Sequence, residues 1–274
     1  MKRPNWTSDF SNHPSHTPIA MSQRDKTYFI SDLHLGASYL DKHTSEQRII
    51  DWLNSIKESA KRLILLGDIL DYWFEYRHVV PRGYIRFLGK LAELSDSGVE
   101  IHWFTGNHDI WIFDYLPAEL GITLHRTHEV LEIDGHRFFL SHGDEVGERK
   151  WSFRFIQSIF RNRVAQWCYS WIHPDLTMIL AHKWSSSSRK KNDRKGEEHF
   201  RGEKHEPLVQ FAKEYIKNND VEYLIFGHRH ILLDLMLTRN NRMLILGDWI
   251  KHFSYATFDG NNLFVDIFLP DEEV

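Results

Sequence analysis

The chain has 274 residues, 42% hydrophobic and 26% charged, a balance that supports a large buried core and excludes a disordered polypeptide. A formal net charge of -4 with histidines neutral gives no global attraction to nucleic acid, so no such partner is expected. The one cysteine, Cys168, excludes an internal disulfide, and no apolar run approaches the roughly 18 residues of a membrane span.

Residues 1–24, rich in Ser, Pro, Asn and Thr, read as a mobile tail ahead of one domain over 25–274. Asn5, Asp9, Asn12 and His13 stand where a signal peptide needs an apolar core, so a cytoplasmic protein is expected. The first strand closes in Ser31-Asp32-Leu33-His34-Leu35-Gly36. An aspartate and a histidine at that spacing, past a strand end, can turn toward one point beyond the sheet edge. Carboxylate suits Mg and Mn and imidazole suits Zn and Fe, so the pair describes a borderline divalent site. Alone it is weak, since both residue types also serve in turns.

Thr44-Ser45-Glu46-Gln47 has the form of a capping box, and Ile49, Trp52, Leu53, Ile56 and Ala60 follow at helical spacing. Residues 63–66 are continuously apolar, as in a strand buried on both faces, and stop at Gly67-Asp68, with Asp71 opening an aromatic run. A helix over 83–94 then leads to a strand over 100–104 that closes in Gly106-Asn107-His108-Asp109. Strand, polar loop and helix thus recur, which predicts an α/β sheet with a site beyond the carboxyl ends of its strands.

Asp134-Gly135 joins two strands as a hairpin, so the sheet system is mixed, and its second arm ends at Ser141-His142-Gly143-Asp144. From 150 to 184 the character changes. Phe153, Ile156, Phe160, Val164, Trp167 and Trp171 predict one amphipathic helix, broken by Pro174 before a short second one, within an insertion over about 148–205. Arg189, Lys190 and Lys191 lie in a polar run that is either a solvated loop or an anion or membrane contact. A helix through Leu208, Phe211, Ala212 and Tyr215 precedes a strand over 222–226 that ends in Gly227-His228-Arg229-His230. Strands over 231–237, 243–246, 254–258 and 263–268 are expected to finish an antiparallel second sheet. Gly247-Asp248 is a further Gly-Asp pair.

Five polar clusters therefore follow apolar strands in order: Asp32-x-His34, Gly67-Asp68-x-x-Asp71, Gly106-Asn107-His108-Asp109, His142-Gly143 and Gly227-His228-x-His230. Any one of these has a bland reading as turn or surface residues. As an ordered set they resemble the calcineurin-like metallophosphoesterases, from residue 26 to the end. The resemblance implies an αββα sandwich of two mixed β-sheets flanked by helices, with a helical insertion. It also implies two divalent metal ions, most readily Mn, with Fe, Zn or Mg as alternatives. One would be held by Asp32, His34, Asp68 and His230 and the other by Asn107, His142 and His228, with Asp68 bridging. His108 would act as general acid or charge stabiliser, with Asp71 orienting it. The family places no metal ligand at Asp248.

The Ser-Asp-Leu-His-Leu-Gly start, the aromatic run after Asp71, the insertion and the closing Leu246-Gly247-Asp248-Trp249 look most like the UDP-2,3-diacylglucosamine hydrolase family. That likeness implies hydrolysis of a lipid A precursor to UMP and 2,3-diacylglucosamine 1-phosphate, a lipid-linked nucleotide substrate and peripheral contact with the inner membrane. Asn107, His108, Arg189, Lys190 and Lys191 are the expected substrate contacts. The best-known members carry arginine where this chain has His108, and the two are not equivalent on a phosphate. A phosphodiesterase or phosphatase for another substrate is the alternative, and a metal-free scaffold of the same fold the remote one.

Overall fold

Strand β1 (Lys26–Ile30) pairs in parallel with β2 (Ala60–Leu66), β2 with β3 (Glu100–Phe104) and β3 with the short β4 (Thr123–His125). On the other side of β1, β10 (Ser254–Phe258) and β11 (Leu263–Ile267) add antiparallel, giving six strands in the order β11-β10-β1-β2-β3-β4. A second sheet of five strands runs β5 (Glu129–Ile133), β6 (His136–Ser141), β7 (Tyr223–Phe226), β9 (Arg242–Leu246) and β8 (Leu232–Met236). The computed structural model describes residues 24–146, 158–181, 183, 199–200 and 202–269.

Side chains alternate across each central strand, and here both faces are apolar, so every such strand feeds two cores. Phe29, Ile64, Leu66 and Phe104 from the first sheet meet Phe138, Leu140, Ile225, Leu244 and Leu246 from the second in a shared inner layer. Tyr28, Ile30, Leu63, Leu65 and Trp103 point the opposite way, onto α1 (Lys42–Ile56), α2 (Ile85–Asp96) and α3 (Tyr115–Leu120). Phe139, Leu224, Phe226, Met243 and Ile245 face Leu208, Val209 and Ala212 of α5 (Pro207–Tyr215). Two sheets face to face with helices outside are the expected αββα arrangement.

Several local expectations are corrected. Asp41, not Thr44, caps α1, its carboxylate accepting from the Thr44 amide at 2.8 Å, and aspartate ranks at least level with threonine in that role. Glu46 accepts instead from the Phe87 amide at 3.1 Å, tying α1 to α2, and Ala60 opens β2 rather than extending the helix. The last four strands do not form one antiparallel sheet. β9 lies inside the second sheet, parallel to β7 and flanked by β8, as its doubly buried run requires, and β10 and β11 cross back to the first.

In the insertion, Asn162 interrupts the expected single helix. Its side chain accepts from the amides of Val164 and Ala165 at 2.9 and 3.1 Å and so starts α4 (Arg163–Ser170) afresh. Residues 158–161 and 174–181 are also helical, and Phe153 and Ile156 lie outside the described residues. The insertion is tied to the aromatic run after Asp71, where Tyr72 Oη meets Tyr169 Oη at 3.1 Å and Tyr76 Oη meets Thr177 Oγ1 at 2.6 Å. Trp111 Nε1 donates to the Phe160 carbonyl at 2.9 Å.

Candidate metal centre

The carboxyl ends of β1, β2, β3, β6 and β7 open on the same end of the two-sheet stack, and each ends at one of the polar clusters. Among the described residues three ligand groups assemble there: Asp32, His34 and His230; His34, Asp68 and His108; Asp68, His142 and His228, with ligand atoms within 4.8 Å of one another in each group. Asp68 Oδ2 is the hub, 3.3 Å from His142 Nε2, 3.8 Å from His34 Nε2 and 4.0 Å from His108 Nε2. Asp32 Oδ1 lies 3.4 Å from His230 Nε2 and 3.8 Å from His34 Nε2.

The other oxygens and nitrogens of these groups are bonded away from the centre, which fixes where the free ones point. Asp32 Oδ2 accepts from the His228 amide at 2.8 Å and from Ser31 Oγ at 2.5 Å. Asp68 Oδ1 accepts from the His108 amide at 2.9 Å. His142 Nδ1 donates to the Leu66 carbonyl at 2.8 Å, and His34 Nδ1 lies 3.2 Å from Asp71 Oδ1. Asp32 Oδ1, His34 Nε2, Asn107 Oδ1 and His142 Nε2 are left buried with no hydrogen-bond partner. Leaving one such atom bare costs about 1–3 kcal/mol, so their convergence fits a site built for cations.

Asp32, His34, Asp68, His228 and His230 all sit at positive φ, between 45° and 69°. That backbone region is uncommon for side-chain-bearing residues and is found where surrounding structure imposes it at functional sites. The glycines beside them answer a different need. A Cβ on Gly106 would meet the Asp68 carboxylate, and one on Gly227 would meet Ser31 Oγ and Asp32 Oδ2, so strand ends close in on each other only because these positions are bare.

Burial raises the pKa of Asp32 and Asp68, but the surrounding imidazoles outweigh it and hold both carboxyls below the usual range. Burial lowers the pKa of His34, yet the surrounding carboxylates of Asp32, Asp71 and Asp68 dominate and push it up to about 10. His142 is likewise raised, against its burial, by Asp68. His228 goes the other way, down to about 3, through burial and the neighbouring His142. The carboxylates therefore compensate positive charge, which protons supply in the metal-free cluster and cations displace.

Of the expected site residues, Asp32, His34, Asp68, Asn107, His108, His142, His228 and His230 stand at this one end, while Arg189, Lys190 and Lys191 lie outside the described residues. Asp71 reaches further than expected. Its carboxylate is nearer His34 than His108, at 3.2 against 3.5 Å, and its backbone carbonyl takes the His108 Nδ1 bond at 2.9 Å. Sequence reasoning passed over Asp109, which is fully buried and accepts from the amides of Gly106 and Ile69 at 2.6 and 3.0 Å and from Trp103 Nε1 at 3.2 Å. It pins the loop that carries Asn107 and His108 to the end of β2. Its place next to Asn107-His108 was the available signal.

A profile of the family described as Calcineurin-like phosphoesterase matches residues 26–232. A UDP-2,3-diacylglucosamine hydrolase of Porphyromonas gingivalis is 45% identical over 256 residues, 89% of this chain and 97% of that protein. Proteins of the same name from Pseudomonas putida and Pasteurella multocida are 29% and 25% identical, over 80% and 82% of this chain and 89% and 90% of theirs.

Proposed function

Because the chain belongs to the calcineurin-like phosphoesterase family, we propose that it is a dinuclear-metal hydrolase cleaving the pyrophosphate of UDP-2,3-diacylglucosamine to UMP and 2,3-diacylglucosamine 1-phosphate. The observation that carries the metal reading is that Asp32 Oδ1, His34 Nε2 and His142 Nε2, buried and unpartnered, lie among the clustered carboxylates and imidazoles, with Asn107 Oδ1 likewise buried and unpartnered. Asp32, His34 and His230 stand together and would hold one cation and Asp68, His142 and His228 the other, with Asp68 shared between the two and Asn107 added to the second, as the family pattern implies. A mixed carboxylate and imidazole set suits Mn, and also accommodates Fe, Zn or Mg. Bound there, two divalent cations supply positive charge to the phosphoryl oxygens and a water activated near neutral pH.

The remaining work belongs to the chain. His108 is held through Nδ1 by the Asp71 carbonyl, so Nε2 is the nitrogen that faces the Asp68 side of the centre. From there it can hand a proton to a leaving oxygen or meet negative charge as it develops. Asp71 keeps His34 and His108 in register through one carboxylate and one carbonyl. Asn107 would serve the cation and the substrate together.

The lipid-linked nucleotide comes from the names of the relatives and is supported by the insertion. A cavity of about 730 Å³ lies between α4 and the chain around Ile110 and Phe113, with Phe74, Phe113 and Trp167 in its wall and three arginines, Arg126, Arg161 and Arg163, against two acids, Glu75 and Asp114. An apolar wall with an excess of arginine over acid suits an anionic amphiphile. Val164, Trp167, Trp171, Leu176, Ile179 and Leu180 are exposed on the insertion, each by half or more of its surface, which supports peripheral contact with a membrane. No helix among the described residues is long and apolar enough to cross one. Arg189, Lys190 and Lys191 would add attraction to anionic headgroups.

Asp68→Ala tests the metal reading. It strips a ligand from both cations at once, so purified variant should retain neither metal and no turnover of a model phosphodiester. Turnover at the wild-type rate would remove the assignment.

A further inference from the structure

The loop after β9 was marked in the sequence by a further Gly-Asp pair to which the metal reading gives no task. In the fold it closes on the metal centre. Asp248 is fully buried, and its Oδ2 stands 3.2 Å from His230 Nδ1. Its Oδ1 accepts from three consecutive amides, Ile250, Lys251 and His252, at 3.0, 2.7 and 3.2 Å. The Trp249 amide donates to the Asp32 carbonyl at 3.1 Å, so the same turn grips the strand end that carries Asp32. Gly247 takes φ 77° to make the turn, and a Cβ there would lie 2.5 Å from Ser254 Oγ. The carboxylate is thus fixed by one oxygen and left with the other for a single histidine.

His34, His142 and His230 share one arrangement. Each has Nδ1 bonded outward, to Asp71, to the Leu66 carbonyl and to Asp248 respectively, and each has Nε2 turned to the carboxylates of the centre. We propose that Asp248 is a positioning residue for His230. It holds the ring with its proton on Nδ1 and Nε2 free toward Asp32, and so sets the affinity of the cation site built on Asp32, His34 and His230 while leaving the site built on His142 and His228 unaffected. This rests on the dinuclear reading above. Carboxylates behind ligating imidazoles fix tautomer and orientation, and their loss typically weakens metal binding about 10- to 100-fold.

Asp248→Asn is the discriminating variant. Three amide donors and, 3.4 Å away, His252 Nδ1 face Oδ1 while the His230 imidazole faces Oδ2, so the asparagine carbonyl stays on the amides and its NH2 turns to His230. The turn keeps its bonds and His230 loses its acceptor. Titration of the metal-free protein with Mn should then show one of two sites weakened about 10- to 100-fold and the other within about twofold of wild type. Nitrogen-15 NMR of the metal-free protein, taken at a pH where the His230 ring is neutral, should show it leaving the Nδ1–H tautomer. Ser254→Ala, which removes a 2.5 Å bond to the Leu246 carbonyl under the same turn without touching His230, should lower thermal stability and leave both affinities in place. Unchanged affinities in Asp248→Asn would overturn the inference, as would the one-site loss reappearing in Ser254→Ala. A wild-type protein that takes up fewer than two cations would instead overturn the dinuclear reading, and the His230 tautomer would then decide the role of Asp248 by itself.

Discussion

Asp68 divides its work between two oxygens: Oδ1 accepts the His108 amide at 2.9 Å and Oδ2 faces three imidazole nitrogens. The carboxylate therefore sets both the ligand cluster and the loop that carries His108, whereas His108 itself reaches the cluster only at its rim. That difference makes the two positions separable by mutation. His108→Ala should lower the rate by about 10²- to 10⁴-fold with both metals still bound, measured as turnover beside metal content. Loss of metal from that variant would place His108 among the ligands instead. At this scale the sequence told which side chains to watch, because each closes an apolar strand. It did not tell what holds them, since Asp109 and the Leu66 carbonyl act through contacts between strand ends that adjoin only in the fold.

β4 is an element with an unexpected feature, a histidine pair on the parallel edge of the first sheet. His102 Nδ1 lies 2.9 Å from His125 Nε2, and the His125 ring stacks on Phe104 at 4.3 Å. Burial, then His125 and Arg62, pull His102 down to about 4 against the pull of Glu100, and burial lowers His125 against Glu129. An unfolded histidine titrates near about 6.5, so between those values the unfolded chain takes up a proton that the folded chain refuses. The pair's contribution to stability is therefore full above about pH 6.5 and is lost as pH falls toward 4. Thermal melts of the metal-free protein should show a midpoint that falls over that window and a shallower fall in His102→Leu. Equal slopes would mean that other groups carry the effect. The elements read well from sequence where period and punctuation agreed, as in the Asp134-Gly135 hairpin and the strands closed by Gly67 and Gly106. β4 went unread because three residues carry no period, and β10 and β11 went to the wrong sheet because strand pairing is decided by partners distant in the chain.

Across the whole molecule, two sheets share an inner core and bring their strand ends to one end, and the insertion is fastened to that same end. The Tyr72–Tyr169 and Tyr76–Thr177 bonds contribute only about 1 kcal/mol each, so the fastening rests equally on Trp111 and Phe74, whose rings lie 4.8 Å from that of Tyr169. The aromatic run begins one residue after Asp71, so the side chains that hold the insertion and the one that orients His34 lie on one short stretch of chain. α4 has no buried residue, and its exposed Val164 and Trp167 offer apolar surface of the kind an acyl chain would cover. Buried acyl methylenes are worth about 0.8 kcal/mol each, so a lid that receives fatty chains should discriminate steeply for them. The direct measurement is hydrolysis by the purified, Mn-loaded protein of UDP-2,3-diacylglucosamine, UDP-N-acetylglucosamine and a simple phosphodiester, each with and without a chelator. The diacylated substrate should be cleaved far faster than the other two, with activity lost on chelation and restored by Mn, whereas equal rates on all three would contradict the lipid reading and leave a general phosphodiesterase bearing a helical insertion.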